Sequence, residues 1–322
     1  MYMKTFGYQR ILNATHENFT TDFGIRLRRA VSPVTRWIMH LGCSPKIICE
    51  QYPNLEKNTP YIFCPTHLFT EDIISSMAVL DRAAYILMGC TDQIIHNPLV
   101  SIAWATGLIY VNRLDPESRA DAVRKMERIL NAGTSVLLFP EGGWNNTENL
   151  LVQPLFSGPY QLAVQTGCQV VPLSAFKTDD GSRIYIRAAN PIDLSHLEKD
   201  AALDTLRDAM VSLMYENILH HGETVSRNTL SAQTDSRLEH MRRRRAEYLE
   251  TPWTADVWEE ELAFYKSRKI AYPSDVWACM DSVTVTAQNA QILAPILLQR
   301  ESDQKYDFKS FMHRTWNAEL PG

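Results

Sequence analysis

The stretch DPESRADAVRKMERILNAGTSVLLFPEGG, residues 115–143, decides the fold class. It opens on Asp115-Pro116-Glu117: a capping residue, a proline suited to the first helical turn, and an acid where the helix dipole favours one. The helical pattern runs on to Leu130, and Asn131-Ala132-Gly133 ends it. Ser135-Val136-Leu137-Leu138-Phe139 follows as a buried strand, and that strand stops abruptly in Pro140-Glu141-Gly142-Gly143. A helix feeding directly into a buried strand is the repeating unit of a parallel α/β sheet.

The same alternation extends in both directions. Upstream lie the β-rich run Tyr61–Cys64, a helical pattern over Glu71–Arg82, the apolar run Tyr85–Met88, a helix around Pro98–Ala105 and the run Leu108–Val111. Downstream, Pro159–Thr166 reads as a helix stopped by Gly167, with Gln169–Leu173 as the next strand. The expected fold is α/β, a mostly parallel central sheet flanked by helices, with functional residues in loops at strand ends. Around that core the chain divides into three parts. Residues 1–45 form an N-terminal basic amphipathic arm, 46–225 the α/β domain, and 226–322 a mainly helical C-terminal extension.

Composition narrows the function classes. The chain has 322 residues with a formal net charge of -5, so no global basic field points to nucleic acid. Its six cysteines show no C-x-x-C pair and no metal-finger spacing, which reads as reduced thiols. The N-terminal residues lack an apolar signal segment, and the uncharged stretch Gln93–Asn112 carries Gln93, His96, Asn97, Pro98 and Gly107. The expectation is a soluble or peripheral protein. The N-x-S/T matches at Asn13, Asn18 and Asn145 are then chance.

Three features could carry chemistry. His67 and Asp72 sit five positions apart across a strand-to-helix junction, a workable base and orienter, although an acid there also serves as a cap. Asn112-Arg113 closes a strand, where an Arg fork can take phosphate or carboxylate, or simply pair with Asp115 or Glu117. Glu141-Gly142-Gly143 ends another strand, with glycines that let backbone N–H groups approach an anion, or make an ordinary turn. No second His or carboxylate cluster accompanies His67 and Asp72, so no metal is expected.

Taken in order, H-x-x-x-x-D (His67 to Asp72), G-L-I-Y-V-N-R (Gly107 to Arg113), F-P-E-G (Phe139 to Gly142) and V-V-P-L (Val170 to Leu173) resemble the glycerolipid acyltransferase family. That family includes the glycerol-3-phosphate and 1-acylglycerol-3-phosphate acyltransferases. The resemblance covers residues 46–195. It implies an O-acyltransferase of phospholipid biosynthesis or remodelling that moves a fatty acyl group from a thioester to a lysophospholipid hydroxyl. His67 would be the general base and Asp72 its orienter. Arg113 would bind the acceptor phosphate, with Asn112, Glu141, Gly142 and Gly143 shaping the same pocket. No cofactor is implied. The co-substrate would be acyl-CoA or acyl-carrier protein, and the site would face the cytoplasmic side of a membrane with which the protein associates peripherally.

The chain departs from the family at Thr66, Phe69, Asn112 and Ser157. Ser157 stands where the family often places a Lys, which keeps open a non-glycerophosphate polar lyso-lipid as acceptor. A non-catalytic lipid-binding protein on the same fold is the alternative outside enzymes. In the arm, Phe23, Leu27, Val31, Val34, Ile38 and Leu41 fall on one helical stripe, with Arg26, Arg28, Arg29 and Arg36 on other faces. That stripe is either an interfacial surface with arginines toward anionic headgroups or the packing side of a helix whose basic face is solvated. Pro33 is expected to kink or divide it. Arg242–Arg245 reads as a solvated helical face paired with nearby acids, or as a second membrane contact.

Overall fold

The computed structural model describes residues 14–89, 107–113, 115–145, 150–178 and 180–222. The chain divides into two units, Met1–Trp258 and Glu259–Gly322, and all described residues lie in the first. The helix expected at Pro98–Ala105, the arginine run Arg242–Arg245 and the extension 226–322 lie outside the described residues.

Seven strands make one sheet: β1 (Lys46–Gln51), β2 (Ile62–Pro65), β3 (Ala84–Met88), β4 (Leu108–Tyr110), β5 (Ser135–Leu137), β6 (Val170–Lys177) and β7 (Arg183–Ala188), in the order β1-β7-β6-β2-β5-β3-β4. Every neighbouring pair is parallel except β6 with β7. The mostly parallel sheet is therefore as expected, and β1 and β7 are strands the sequence reading did not isolate. The antiparallel exception follows from the short link between β6 and β7, which leaves no room for a crossover helix. Gly181, with φ of 68°, takes the left-handed turn position there.

Among the described residues, five helices pack around the sheet: α1 (Asp22–Gly42), α2 (Asp72–Val79), α3 (Pro116–Asn131), α4 (Gly158–Thr166) and α5 (Lys199–His221). Alternation along the strands splits the core into two layers. Phe63, Ile86, Leu137, Val171 and Leu173 face α2, where Ile73, Ile74 and Met77 are buried. Ile62, Tyr85, Ile109, Val136 and Val170 face the opposite layer, with Met126 and Ile129 of α3, Leu162 of α4 and Leu206 and Met210 of α5. The sequence caps of α3 hold: Asp115 accepts from Glu117 and Ser118 N–H, worth about 1 kcal/mol. Gly133 at φ of 74° and Gly167 at φ of 67° end α3 and α4.

α2 is shorter than the Glu71–Arg82 pattern. Leu80 turns to an extended conformation, its side chain is buried and its carbonyl accepts from Arg36 of α1. Arg82 is drawn away to the carbonyls of Glu56 and Thr59.

α1 runs through Pro33 as one helix, so the proline does not divide it. Its buried face is Ile25, Ser32, Thr35 and Met39, with the Thr35 hydroxyl satisfied by the Ser32 carbonyl. The apolar stripe faces outward instead: Phe23 is 73% exposed, Val34 59%, Trp37 63% and Leu41 64%. Three of the four arginines expected to face headgroups or solvent are tied to the protein. Arg28 donates to Thr20 and the Tyr85 hydroxyl, Arg29 to the Ala132 carbonyl and Thr134, and Arg36 to the Leu80 carbonyl. The stripe is thus not the packing side, and the basic face is not a free one. No helix among the described residues is long and apolar enough to cross a membrane.

Candidate active site

The site lies beyond the C-terminal ends of the parallel strands. β2 and β5 are neighbours, with Ile62 opposite Val136 and Phe63 opposite Leu137. The loop after β2 therefore lies beside the loop after β5, although 74 residues separate His67 from Glu141 in the chain. On the other side of β2, Thr66 roots its loop. The Thr66 N–H donates to the Leu173 carbonyl of β6 at 3.2 Å, and its hydroxyl accepts the Ala175 N–H at 3.1 Å.

His67 comes next, and its side chain is 14% exposed. Its Nδ1 lies 3.0 Å from Asp72 Oδ2, and the same oxygen accepts the N–H groups of Leu68 at 2.6 Å and Phe69 at 3.0 Å. Asp72, the first residue of α2, is fully buried. Its carboxylate turns back onto the loop and the imidazole, and no N–H of the helix itself donates to it among the described residues. An ionised carboxylate at Nδ1 selects the ring tautomer with the proton there and the lone pair on Nε2. Nε2 makes no hydrogen bond among the described residues. Phe139 stacks on the imidazole with centroids 4.2 Å apart, and Trp144 meets it edge-on at 6.1 Å. These two aromatics leave the ring few orientations.

Glu141 is fully buried. One carboxylate oxygen accepts the His67 N–H at 2.9 Å and the other the Gln153 N–H at 2.8 Å. The residue so fastens the histidine's main chain to the segment beyond the β5 loop. Asn145 N–H closes the same junction on the His67 carbonyl at 2.7 Å. Gly142 sits at φ of 72°, a conformation that favours glycine, and its N–H bonds the Phe139 carbonyl in a tight turn. The Gly142 carbonyl accepts from Arg113 Nη1 at 2.8 Å, which brings the strand end after β4 to the β5 loop. Asn112 N–H donates to the Ser118 hydroxyl at the start of α3, and Gly143 is buried beside Trp144. Ser157 is the residue before α4.

The structure thus gathers His67, Asp72, Glu141, Gly142 and Arg113 around one set of loops. Four contributors escaped the sequence reading. A Cβ on Gly89 would come within 2.8 Å of the Arg113 side chain, so the bare glycine lets that arginine lie across the end of β3. Phe139 stands in the sequence only as the first residue of the F-P-E-G motif, and neither Trp144 nor Gln153 carries a motif of its own. A tryptophan amid Asn and Glu was the one available signal, since exposed polar loops rarely carry one.

None of the four described cysteines enters this site. Cys43, Cys49, Cys64 and Cys168 are free, and burial pushes the Cys43 thiol up to about 11.

Residues 46–175 match the model of the family described as Acyltransferase. A 1-acyl-sn-glycerol-3-phosphate acyltransferase of Borreliella burgdorferi is 25% identical over 199 residues, 58% of this chain and 76% of that one. Its namesake from Saccharomyces cerevisiae is 24% identical over 212 residues, 60% of this chain and 66% of that one. Among solved structures, the 1-acyl-sn-glycerophosphate acyltransferase PlsC of Thermotoga maritima aligns with a TM-score of 0.47 and 15% identity, covering 60% of this chain and 82% of that one.

Proposed function

Residues 46–175 match the Acyltransferase family model, and from that match we propose that this enzyme acylates a lysophospholipid hydroxyl, 1-acylglycerol-3-phosphate first among acceptors, from an acyl thioester. The observation that carries the reading is the His67–Asp72 pair, with Nδ1 engaged at 3.0 Å and Nε2 unbonded among the described residues. An alcohol is a weak nucleophile at neutral pH, and a positioned base contributes about 10²- to 10⁴-fold. His67 Nε2 accepts the acceptor's hydroxyl proton as its oxygen bonds to the thioester carbonyl carbon. Collapse of the tetrahedral intermediate breaks the C–S bond, and the departing thiolate takes the proton back. The products are an ester and a free thiol, with no acyl-enzyme and no cofactor required. Acyl-CoA and acyl-carrier protein supply the same thioester.

Arg113 is the residue proposed to meet the acceptor phosphate, and its contact with the Gly142 carbonyl supports that placement beside His67. Ser157, in the position where a family lysine is common, favours a second reading in which the acceptor is a polar lyso-lipid other than a glycerophosphate. Substrates of this kind reside in a bilayer, and the outward apolar row of α1 supports docking on its surface. Because Arg28, Arg29 and Arg36 are engaged with the protein, that docking is chiefly apolar. In this reading the protein works from the cytoplasmic face of that membrane.

The test is thiol release from palmitoyl-CoA with a panel of lyso-lipid acceptors, phosphorylated and not, for the wild type and His67→Ala. Release that depends on acceptor and falls at least 10²-fold in the variant is expected. Full activity in His67→Ala refutes the base. No release from palmitoyl-CoA or from palmitoyl-acyl-carrier protein, with any acceptor, refutes the enzyme and favours a lipid-binding protein.

A further inference from the structure

Asp72 uses only one of its two carboxylate oxygens. Oδ2 takes the His67 imidazole and two loop N–H groups, whereas Oδ1, equally buried, has no hydrogen-bond partner among the described residues. An acceptor-only oxygen buried in that way is rare, and each one calls for an explanation. One turn along α2, Ser76 presents the complementary feature. Ser76 is fully buried and its hydroxyl, a donor, is likewise without a partner among the described residues. Asp72 and Ser76 stand at i and i+4 on one helix, which places both side chains on the same face. Ser75, between them in sequence, is satisfied differently, since its hydroxyl donates to the Asp72 main-chain carbonyl at 3.2 Å. Among the side-chain atoms left unpaired in the described residues, these two are the ones that can satisfy each other.

We propose that Ser76 is a positioning residue for the His67–Asp72 pair, its hydroxyl donating to Asp72 Oδ1 through a single buried water. Two buried polar atoms on one helix face, each without a partner among the described residues, are the setting in which buried waters occur. The consequence is mechanical as well as electrostatic. Three donors on Oδ2 hold the carboxylate at one edge only, and it remains able to pivot about that oxygen. A donor at Oδ1 stops the pivot, and with it the drift of the imidazole that Oδ2 holds. Ser76 acts through Asp72 and touches no substrate.

The proposal rests on the base role of His67, so its test reads the imidazole without turnover. In uniformly ¹⁵N-labelled protein, the His67 Nδ1 proton is assigned by its loss in His67→Ala. In Ser76→Ala this resonance is expected to move upfield and to exchange faster with water, because the carboxylate it bonds is held less firmly. Ser76→Thr, which keeps the hydroxyl, is expected to restore both. Ser75→Ala is the control. It removes a hydroxyl at the neighbouring position that bonds the main chain, and the Nδ1 proton should stay where it is. In turnover, kcat is expected to fall about 2- to 10-fold in Ser76→Ala with KM for both substrates unchanged.

An Nδ1 resonance unmoved in Ser76→Ala, or moved equally in Ser75→Ala, overturns the proposal. So does failure of Ser76→Thr to restore it. If His67→Ala were to keep full activity while Ser76→Ala still moved the resonance, the catalytic reading would fall and the positioning role would stand.

Discussion

Glu141→Gln separates a structural role for this residue from a contact with substrate. The wild-type carboxylate is fully buried and accepts the His67 N–H at 2.9 Å and the Gln153 N–H at 2.8 Å. The amide keeps the shape but offers one acceptor oxygen and one NH₂, so one of the two main-chain N–H groups must face another donor. Losing a hydrogen bond to a charged group costs about 1.5–3 kcal/mol, and the surviving bond becomes a neutral one of roughly half the strength. Removing a buried charge returns part of that loss. The expected net destabilisation is about 2–3 kcal/mol. Urea unfolding followed by tryptophan fluorescence should show a lower midpoint with an unchanged slope. Because the lost bond on one side is His67's own N–H, kcat should fall alongside stability, with a smaller effect on the acceptor KM. An unchanged unfolding midpoint with a raised acceptor KM would refute this reasoning and make Glu141 a substrate contact.

Two further outcomes follow from the same geometry. Serine substitutions at Phe23 and Leu41, both on the outward face of α1, should leave the unfolding midpoint in place. They should weaken flotation with phosphatidylglycerol-containing liposomes, each by about 1–2 kcal/mol of apolar burial; unchanged flotation places the docking surface elsewhere. Asp121 is held down to about 2 against its own burial, by a hydrogen bond from Lys125 and by the His16 main chain and ring. A depressed carboxylate stabilises the fold above its unfolded range, near pH 4, and loses that contribution as pH falls toward about 2. Asp121→Asn should therefore cost about 2 kcal/mol at pH 7, with the gap to wild type closing below pH 4; a pH-independent gap would refute the ion-pair account.

Local signals made the strand and helix order legible over residues 61–88 and 108–173. The cap at Asp115 and the stops at Gly133 and Gly167 act within a turn or two, so their chemistry does not depend on the rest of the chain. The His67–Asp72 pair was legible for the same reason, since five residues across a strand-to-helix junction hold both partners close whatever surrounds them. The order of the four sequence blocks, likewise, is a property of the sequence alone and carries the family resemblance.

What tertiary structure alone decided were the contacts between distant segments. That Glu141 would fasten the His67 main chain depends on β5 lying beside β2, a pairing no local pattern specifies. Gly89 matters because Arg113 passes over it, and the unsatisfied Asp72 oxygen and Ser76 hydroxyl are notable only because both are buried. α1 is the sharpest case. Its periodicity defines an apolar stripe, but periodicity cannot tell a stripe that packs from one that faces out. The core accepts the face with Ser32, Thr35 and Met39, small or flexible side chains that let helix and core approach closely, while Arg28, Arg29 and Arg36 tie the helix down with bonds to the core. Which side of an amphipathic helix is inside is set by the surface it meets, and that surface is made by the rest of the chain.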